Sequence, residues 1–382
     1  MTPVRIILLY ITLLLSHNQL SFSFCLMSKM ARDNKVFAST SDTAKSAFGM
    51  VWSPLQDLMN TSDPSKLCSD RPRLAKDNQY ASAVLEAWRK DASTIHAREG
   101  CISMGTVSLY HSNHDQSKPL NGYLVVPSYL LSEDQEVDLH RELPAIILFH
   151  TGAGPQDVFL RWKADMLIRE LKDCIVLIAD MICDADGYAW SDRDKYEESR
   201  KFLLASYKDE NEKVARWNLR RCVVAAIEHL KALHFVQVSD IAAMGHCLGG
   251  HPILELGMMQ DDRVKALISY HGVFDGVKDY DIPQKDDSVD PTITPSLSYN
   301  SMKVLICNGK DDPFVDQDDV QKAKLLLEME GCNVKVLNFE NVRHGFTNPA
   351  QDFNPSEAFA YNEVAAKISW DSSIQLLNET FR

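Results

Sequence analysis

The chain has 382 residues, of which 45% are hydrophobic and 24% charged, and it carries a formal net charge of −13. This composition is that of an ordinary globular protein, and the length allows one large domain or two. The excess of negative charge argues against nucleic acid or an anionic membrane as a partner.

The first 25 residues have the pattern of a signal peptide. One positive charge within residues 1–5 precedes an apolar run of about ten residues, which is too short to span a bilayer. We therefore expect entry into the secretory route and no stable membrane anchor in the mature chain. Residues 26–75 are predicted to be a linker, or a transit-peptide-like segment rich in Ser, Ala, Thr and Lys at its start. The destination is then either a plastid, through a two-part presequence, or a secreted or endomembrane location.

Residues 76–382 are predicted to form one domain. A helix is expected over 80–97, followed by a hairpin of strands at 106–110 and 123–126. After residue 143, short apolar runs alternate with helical periodicity, apart from a charged stretch over 184–212. Strands are predicted at 145–149, 175–179, 240–244, 266–270, 303–307 and 334–339. Helices are predicted at 162–171, 217–230, 252–256, 317–330 and 356–381. Fully apolar strands separated by helices predict the α/β class, with a mostly parallel central sheet and helices on both faces.

The cysteines give no sign of a metal site. The nine cysteines include no C-x-x-C pair and no zinc-ligand spacing, so no metal is predicted. Three of them fall inside predicted apolar elements and are expected to be buried free thiols, namely Cys174, Cys222 and Cys307.

The pentapeptide from Gly245 to Gly249 has Cys247 at its centre and lies between a predicted strand and a predicted helix. A G-x-[Ser/Cys]-x-G sequence in this context is typical of a nucleophile elbow. The glycines are needed because the nucleophile stands on a sharp, strained turn close to the neighbouring strand and helix. The next backbone N–H, that of Leu248, is then expected to point at a developing oxyanion.

A nucleophile of this kind needs a base and an acid that orients the base. Asp312 directly follows the predicted strand 303–307, and His344 follows the strand 334–339. A second oxyanion donor is expected from the loop after strand 145–149, from the N–H of Thr151 or Gly152. Each of these groups lies at the carboxyl end of a predicted strand, where open α/β sheets place their sites.

Several further segments carry a family resemblance. They are 150–154 (HTGAG), 244–250 (MGHCLGG), 270–272 (YHG), 309–315 (GKDDPFV), 344–349 (HGFTNP) and 360–370 (AYNEVAAKISW). Over about residues 100–382 the chain resembles the dienelactone hydrolase family. The resemblance implies an α/β-hydrolase fold and a triad of Cys247, Asp312 and His344 that hydrolyses a lactone or carboxylic ester. It implies a small-molecule substrate and no metal or organic cofactor.

One departure from the family bears on the substrate. The family commonly has a glutamate directly after the position of His150, where this chain has Thr151. The activity is therefore expected on a lactone or ester, with a shift toward simple esters or thioesters as an alternative. The remaining alternative is a catalytically silent binding protein on the same fold. The residues considered for substrate binding are His150, His246, Tyr188, Trp190 and Arg343. The sequence assigns no oligomeric state.

Overall fold

The computed structural model describes residues 50–62, 75–111, 114–131, 141–182, 193–208, 214–280 and 302–382. Within these ranges the fold is built on a nine-stranded sheet. The strands in the described ranges are β1 (Trp52–Pro54), β2 (Ala97–His111), β3 (His114–Pro127), β4 (Leu143–Phe149), β5 (Ile175–Ala179), β6 (Tyr207–Lys208), β7 (Val214–Ala215), β8 (Val236–His246), β9 (Val264–Tyr270), β10 (Lys303–Gly309) and β11 (Asn333–Phe339). The order across the large sheet is β1-β2-β3-β5-β4-β8-β9-β10-β11, and β6 pairs separately with β7.

The sheet is mostly parallel, as predicted. Strands β5, β4, β8, β9, β10 and β11 pair in parallel with one another, in that order. The three strands β1, β2 and β3 are antiparallel, and β3 joins the parallel part through an antiparallel pairing with β5. The parallel strands therefore all end at one edge, which is where the predicted reactive residues lie.

Helices cover both faces of the sheet. They are α1 (Leu55–Met59), α2 (Ala75–Asp91), α3 (Val158–Leu171), α4 (Arg193–Leu203), α5 (Trp217–Lys231), α6 (Gly250–Met259), α7 (Gln317–Met329) and α8 (Glu363–Thr380). Successive residues of β4 point to opposite sides, as a strand requires. Ile147 and Phe149 pack in a core with α5, α6 and α7, whereas Ile146 and Leu148 pack in a second core with α2, α3 and α8.

At the amino-terminal side of the domain, the structure differs from the prediction in two places. The predicted helix over 80–97 ends at Asp91, because Ala97 already pairs with Pro127 in the β2–β3 ladder. Residues 52–59, which the sequence places in the linker 26–75, belong to the folded domain as β1 and α1. Trp52 and Leu55 are buried there. The predicted signal over 1–25 and most of the remaining linker lie outside the described residues.

Two further differences concern helices. The charged stretch over 184–212 contains α4 and the short strand β6, and the short strand β7 follows it. The last helix begins at Glu363 and not at residue 356, because the side chain of Asn362 accepts a hydrogen bond from the N–H of Ala365 and caps the first turn. None of the helices that the structure describes is long and apolar enough to cross a membrane.

The predicted buried cysteines are confirmed. Cys174, Cys222 and Cys307 are free and buried. Burial raises the pKa of the Cys174 and Cys307 thiols well above its ordinary value. These thiols are therefore small apolar side chains of the core.

Helix α3 carries a lysine inside the core. Lys163 is only 6% exposed, and its Nζ lies 4.0 Å from the ring centroid of Trp162 and 5.2 Å from that of Trp370. Its Nζ lies 3.5 Å from the sulfur of Met166. Burial lowers the pKa of Lys163 to about 7, which the charge of Asp91 only partly opposes.

Candidate active site

Cys247 stands on a strained turn between β8 and α6. Its φ of +55° lies in the left-handed region, which side chains other than glycine rarely adopt. The turn is tight, because a Cβ added to Gly245 would lie 2.0 Å from the carbonyl oxygen of Gly249. Unlike the buried thiols of the core, Cys247 is partly exposed. Leu248 follows as the second residue of a short 3-10 helix, where a backbone N–H has no acceptor within its own helix.

Asp312 and His344 meet at the ends of β10 and β11. His344 Nδ1 lies 2.6 Å from Asp312 Oδ2, and both side chains are buried. The other carboxylate oxygen of Asp312 accepts a hydrogen bond of 2.9 Å from the N–H of Phe314. Its neighbour Asp311 is exposed. The carboxylate that the strand-to-helix loop turns inward is therefore Asp312, which contacts the imidazole.

The environment of His344 favours its charged form. Burial lowers the pKa of the imidazole, but the charge of Cys247, the hydrogen bond to Asp312 and a hydrogen bond with Cys247 together raise it to about 10. The three side chains are thus electrostatically coupled. An imidazolium at this position can stabilise a thiolate on one side and give a proton to a substrate atom.

The backbone around His344 is held from both directions. The N–H of His344 donates to the carbonyl of Ala358, and the N–H of Ala360 donates to the carbonyl of His344. The ring of His271 lies edge-on to the His344 ring at 4.9 Å between centroids. Burial and the charge of His344 keep the pKa of His271 well below its ordinary value.

The HGFTNP segment ties this loop to the rest of the fold. Thr347 Oγ1 lies 3.1 Å from Nε2 of His271. The side-chain amide of Asn348 donates to the hydroxyl of Tyr80 at 2.7 Å, and that hydroxyl donates to Asp157 at 3.0 Å. Helix α2, the first turn of α3 and the histidine loop are therefore joined by one chain of hydrogen bonds.

The loop after β4 lies where a second oxyanion donor is expected. Thr151 closes the loop on itself, since its carbonyl accepts from the N–H of Gly154 and its hydroxyl accepts from the N–H of Ala153, both at 3.1 Å. Within the described part of the chain, no acceptor is found for the backbone N–H groups of Thr151 and Gly152. Their role as oxyanion donors stays a prediction.

Tyr196 of α4 covers this loop and was not singled out from the sequence. A Cβ added to Gly152 would lie 2.7 Å from the Tyr196 ring, so only glycine allows the ring to lie against the loop. Burial raises the pKa of Tyr196 well above its ordinary value, and the charge of Cys247 raises it further. The phenol of Tyr196 therefore stays protonated near Cys247. The only signal in the sequence was a tyrosine in a helix otherwise dominated by charged residues.

Two of the predicted substrate-binding histidines lie in the interior. His150 is fully buried, with Nε2 3.0 Å from the N–H of Met181 and Nδ1 2.6 Å from the carbonyl of Thr151. His246 is buried and stacks on the ring of Tyr270 at 4.7 Å, and burial lowers its pKa to about 3. Both side chains are buried within the fold, and their contact with a substrate stays a prediction.

The predicted arginine is placed at the surface. Arg343 is exposed and donates to the carbonyl of Glu357 at 3.0 Å, so it supports the histidine loop. Tyr188 and Trp190 lie outside the described residues.

A cysteine on an elbow turn, with a carboxylate and a histidine at the ends of later strands of a parallel sheet, is the arrangement of the α/β-hydrolase fold. The sequence profile of the dienelactone hydrolase family matches residues 129–381. The chain belongs to this family, and it is a carboxylic ester hydrolase by class.

Individual relatives are distant. An uncharacterized protein of Caenorhabditis elegans, K02A2.1, is 24% identical over 157 residues, which are 41% of this chain and 90% of that protein. A solved structure entitled m3DLH is 22% identical, covers 75% of this chain and 100% of its own, and has a TM-score of 0.54. The dienelactone hydrolase-like promiscuous phosphotriesterase P91 from metagenomic libraries is 22% identical. It covers 74% of this chain and 99% of its own, with a TM-score of 0.51. At these sequence identities, the similarity to the solved structures shows the fold alone.

Proposed function

We propose that the protein hydrolyses a carboxylic ester or lactone through an acyl-enzyme on Cys247. The observation that carries the proposal is the distance of 2.6 Å between His344 Nδ1 and Asp312 Oδ2, together with the charge of Cys247, which raises the pKa of His344. A thiolate beside an imidazolium is the reactive form of a cysteine nucleophile.

In the first half of the reaction, the Cys247 thiolate attacks the carbonyl carbon and forms a C–S bond. The carbonyl oxygen becomes an oxyanion, which the N–H groups of Leu248 and of Thr151 or Gly152 stabilise. Each such donor contributes about 10²–10³ in rate. The C–O bond to the alcohol then breaks, and His344 gives its Nε2 proton to the leaving alkoxide.

In the second half, the neutral His344 removes a proton from a water molecule that attacks the thioester. The C–S bond breaks, the acid is released, and the thiolate and imidazolium are restored together. Asp312 keeps the imidazole in the required orientation throughout.

The experiment is an acid-quenched incubation with an activated ester, an enol-lactone and a thioester. We expect hydrolysis and an acyl mass on the peptide that contains Cys247, and both should be lost in Cys247→Ala. The matched control is Cys101→Ala, because Cys101 is a free, exposed cysteine on β2. Turnover by Cys247→Ala would refute the assignment of the nucleophile. Preference for the thioester over the matched ester would instead indicate a thioesterase.

A further inference from the structure

Two phenylalanines, Phe314 and Phe359, flank the imidazole of His344, and we call them the aromatic pair. The Phe314 ring lies 5.1 Å from the His344 ring at an interplanar angle of 76°, and the Phe359 ring lies 5.2 Å away at 84°. The two phenyl rings are 5.3 Å apart. The aromatic pair therefore forms one continuous apolar wall beside the group that delivers the proton.

The aromatic pair is not a closed core cluster. Phe314 is 41% exposed, and Phe359 is only partly buried. A phenyl ring gains transfer free energy only from the surface that it buries. Packing against His344 alone would therefore not require Phe314 to keep so much of its surface in water. This exposed apolar surface is available to another molecule.

The same hydrogen bonds that hold the acid and the histidine hold the aromatic pair. The N–H of Phe314 is bonded to Asp312 Oδ1, and Phe359 forms a backbone bridge with His344. Both rings are thus attached to the backbone immediately beside the proton donor. A leaving group that receives its proton from His344 must lie within contact distance of this wall.

Two arginines near Tyr196 are already paired with a carboxylate. Arg200, one turn after Tyr196, bonds Asp275 at 2.9 Å, and Arg216 lies 3.5 Å from the same carboxylate. Arg343, next to His344, donates to the carbonyl of Glu357. In the part of the chain that the structure describes, Arg200 and Arg216 are therefore paired with a carboxylate, whereas Arg343 lies at the surface.

We infer that the aromatic pair is the leaving-group subsite, and that the substrate is a neutral ester whose alcohol part is aromatic or a comparably bulky apolar group. The inference rests on the proposed function, because it takes His344 as the group that protonates the departing alkoxide.

The test compares acetates whose leaving groups differ in apolar area at similar acidity, namely phenyl, 4-tert-butylphenyl and 2-naphthyl acetate. A fused ring buries enough extra surface for kcat/KM to rise about tenfold from phenyl to 2-naphthyl acetate. The anionic 3-carboxyphenyl acetate should be the poorest of the series. In Phe314→Ala, the preference for 2-naphthyl over phenyl acetate should fall to about one.

Two controls separate substrate contact from a purely structural effect. Phe353→Ala removes another exposed phenylalanine, 46% exposed, and should leave the naphthyl preference unchanged. The ratio of phenyl butyrate to phenyl acetate, which reports on the acyl side, should be the same in the wild-type protein and in Phe314→Ala.

An equal loss of kcat/KM on every ester in Phe314→Ala would overturn the inference, because the aromatic pair would then only position His344. Hydrolysis by the wild-type protein without a leaving-group preference would overturn it as well, while leaving the proposed function intact. Failure to hydrolyse any of these esters, with no acyl group on Cys247, would refute the proposed function itself.

Discussion

Replacing Lys163 with methionine should stabilise the protein at and below neutral pH. The lysine is buried among aromatic rings, and burial lowers its pKa from 10.5 to about 7. That difference corresponds to a cost of about 5 kcal/mol for keeping the ammonium in the folded protein. Methionine has a similar length and no charge, so the variant avoids the cost and retains most of the packing.

The direction in which the free energy of unfolding changes with pH follows from the pKa of Lys163, which is 10.5 in the unfolded protein and about 7 in the folded protein. Between about pH 7 and 10.5 the unfolded protein binds a proton at Lys163 that the folded protein lacks. The free energy of unfolding of the wild-type protein should therefore rise with pH relative to the variant in this window. The increase in the free energy of unfolding caused by Lys163→Met should be greatest below about pH 7 and should vanish near pH 10.5.

The assay is urea unfolding of the wild-type protein, Lys163→Met and Lys322→Met at about pH 6, 8 and 10. Lys322 lies on the exposed side of α7, so its replacement controls for the change of residue type. A difference between the wild-type protein and Lys163→Met that stays constant over this range would refute the reasoning, because the ammonium would then remain charged in the folded protein.

Three further predictions concern the site. The value of kcat/KM should fall as the pH rises through about 10, where His344 loses its proton. Asp312→Asn should move this fall to lower pH, because the carboxylate of Asp312 helps to raise the pKa of His344. The same pH profile in the wild-type protein and the variant would contradict an effect of Asp312 on His344. Gly152→Ala should lower kcat/KM because its Cβ would lie 2.7 Å from the Tyr196 ring, and the second substitution Tyr196→Ala should restore activity. Gly245→Ala should cost about 10²-fold in kcat/KM through displacement of the elbow, which steady-state assays of the folded variant would test.

The parallel part of the fold was predictable because its strands are buried on both sides. The run 175–179 has no polar residue, and the structure contains it as the fully buried β5. The elbow was predictable for a different reason. Its glycines are required by the close approach of neighbouring backbone, and this requirement does not depend on the periodicity of a helix or strand. With those elements placed, the loops that carry Asp312 and His344 followed from their order along the chain.

The groups around the triad residues were harder to predict. Tyr196 sits in a helix whose other residues are mostly charged, and it reaches Gly152 only because the fold brings α4 over the β4 loop. Phe314 shows no pattern of its own, because its exposure depends on the tertiary arrangement at the end of β10. Tertiary contacts of this kind leave no period in a sequence.

His246, which precedes Cys247, and His150, which precedes Thr151, are both buried. Side chains alternate between the faces of a strand. His246 therefore points away from the position of Cys247, toward Phe159 of α3, where the two rings lie 5.1 Å apart. His150, at the end of β4, similarly points inward to the N–H of Met181.

The hydrogen bond between Tyr80 and Asn348 joins residues that are 268 positions apart. During synthesis Tyr80 leaves the ribosome first and Cys247 much later. The loop of His344 can form only after β11 has left the ribosome as well. Until then the growing polypeptide carries Cys247 without His344 beside it. The candidate site around Cys247 is therefore completed only at the last stage of synthesis, when the strands of the sheet before β11 are already available.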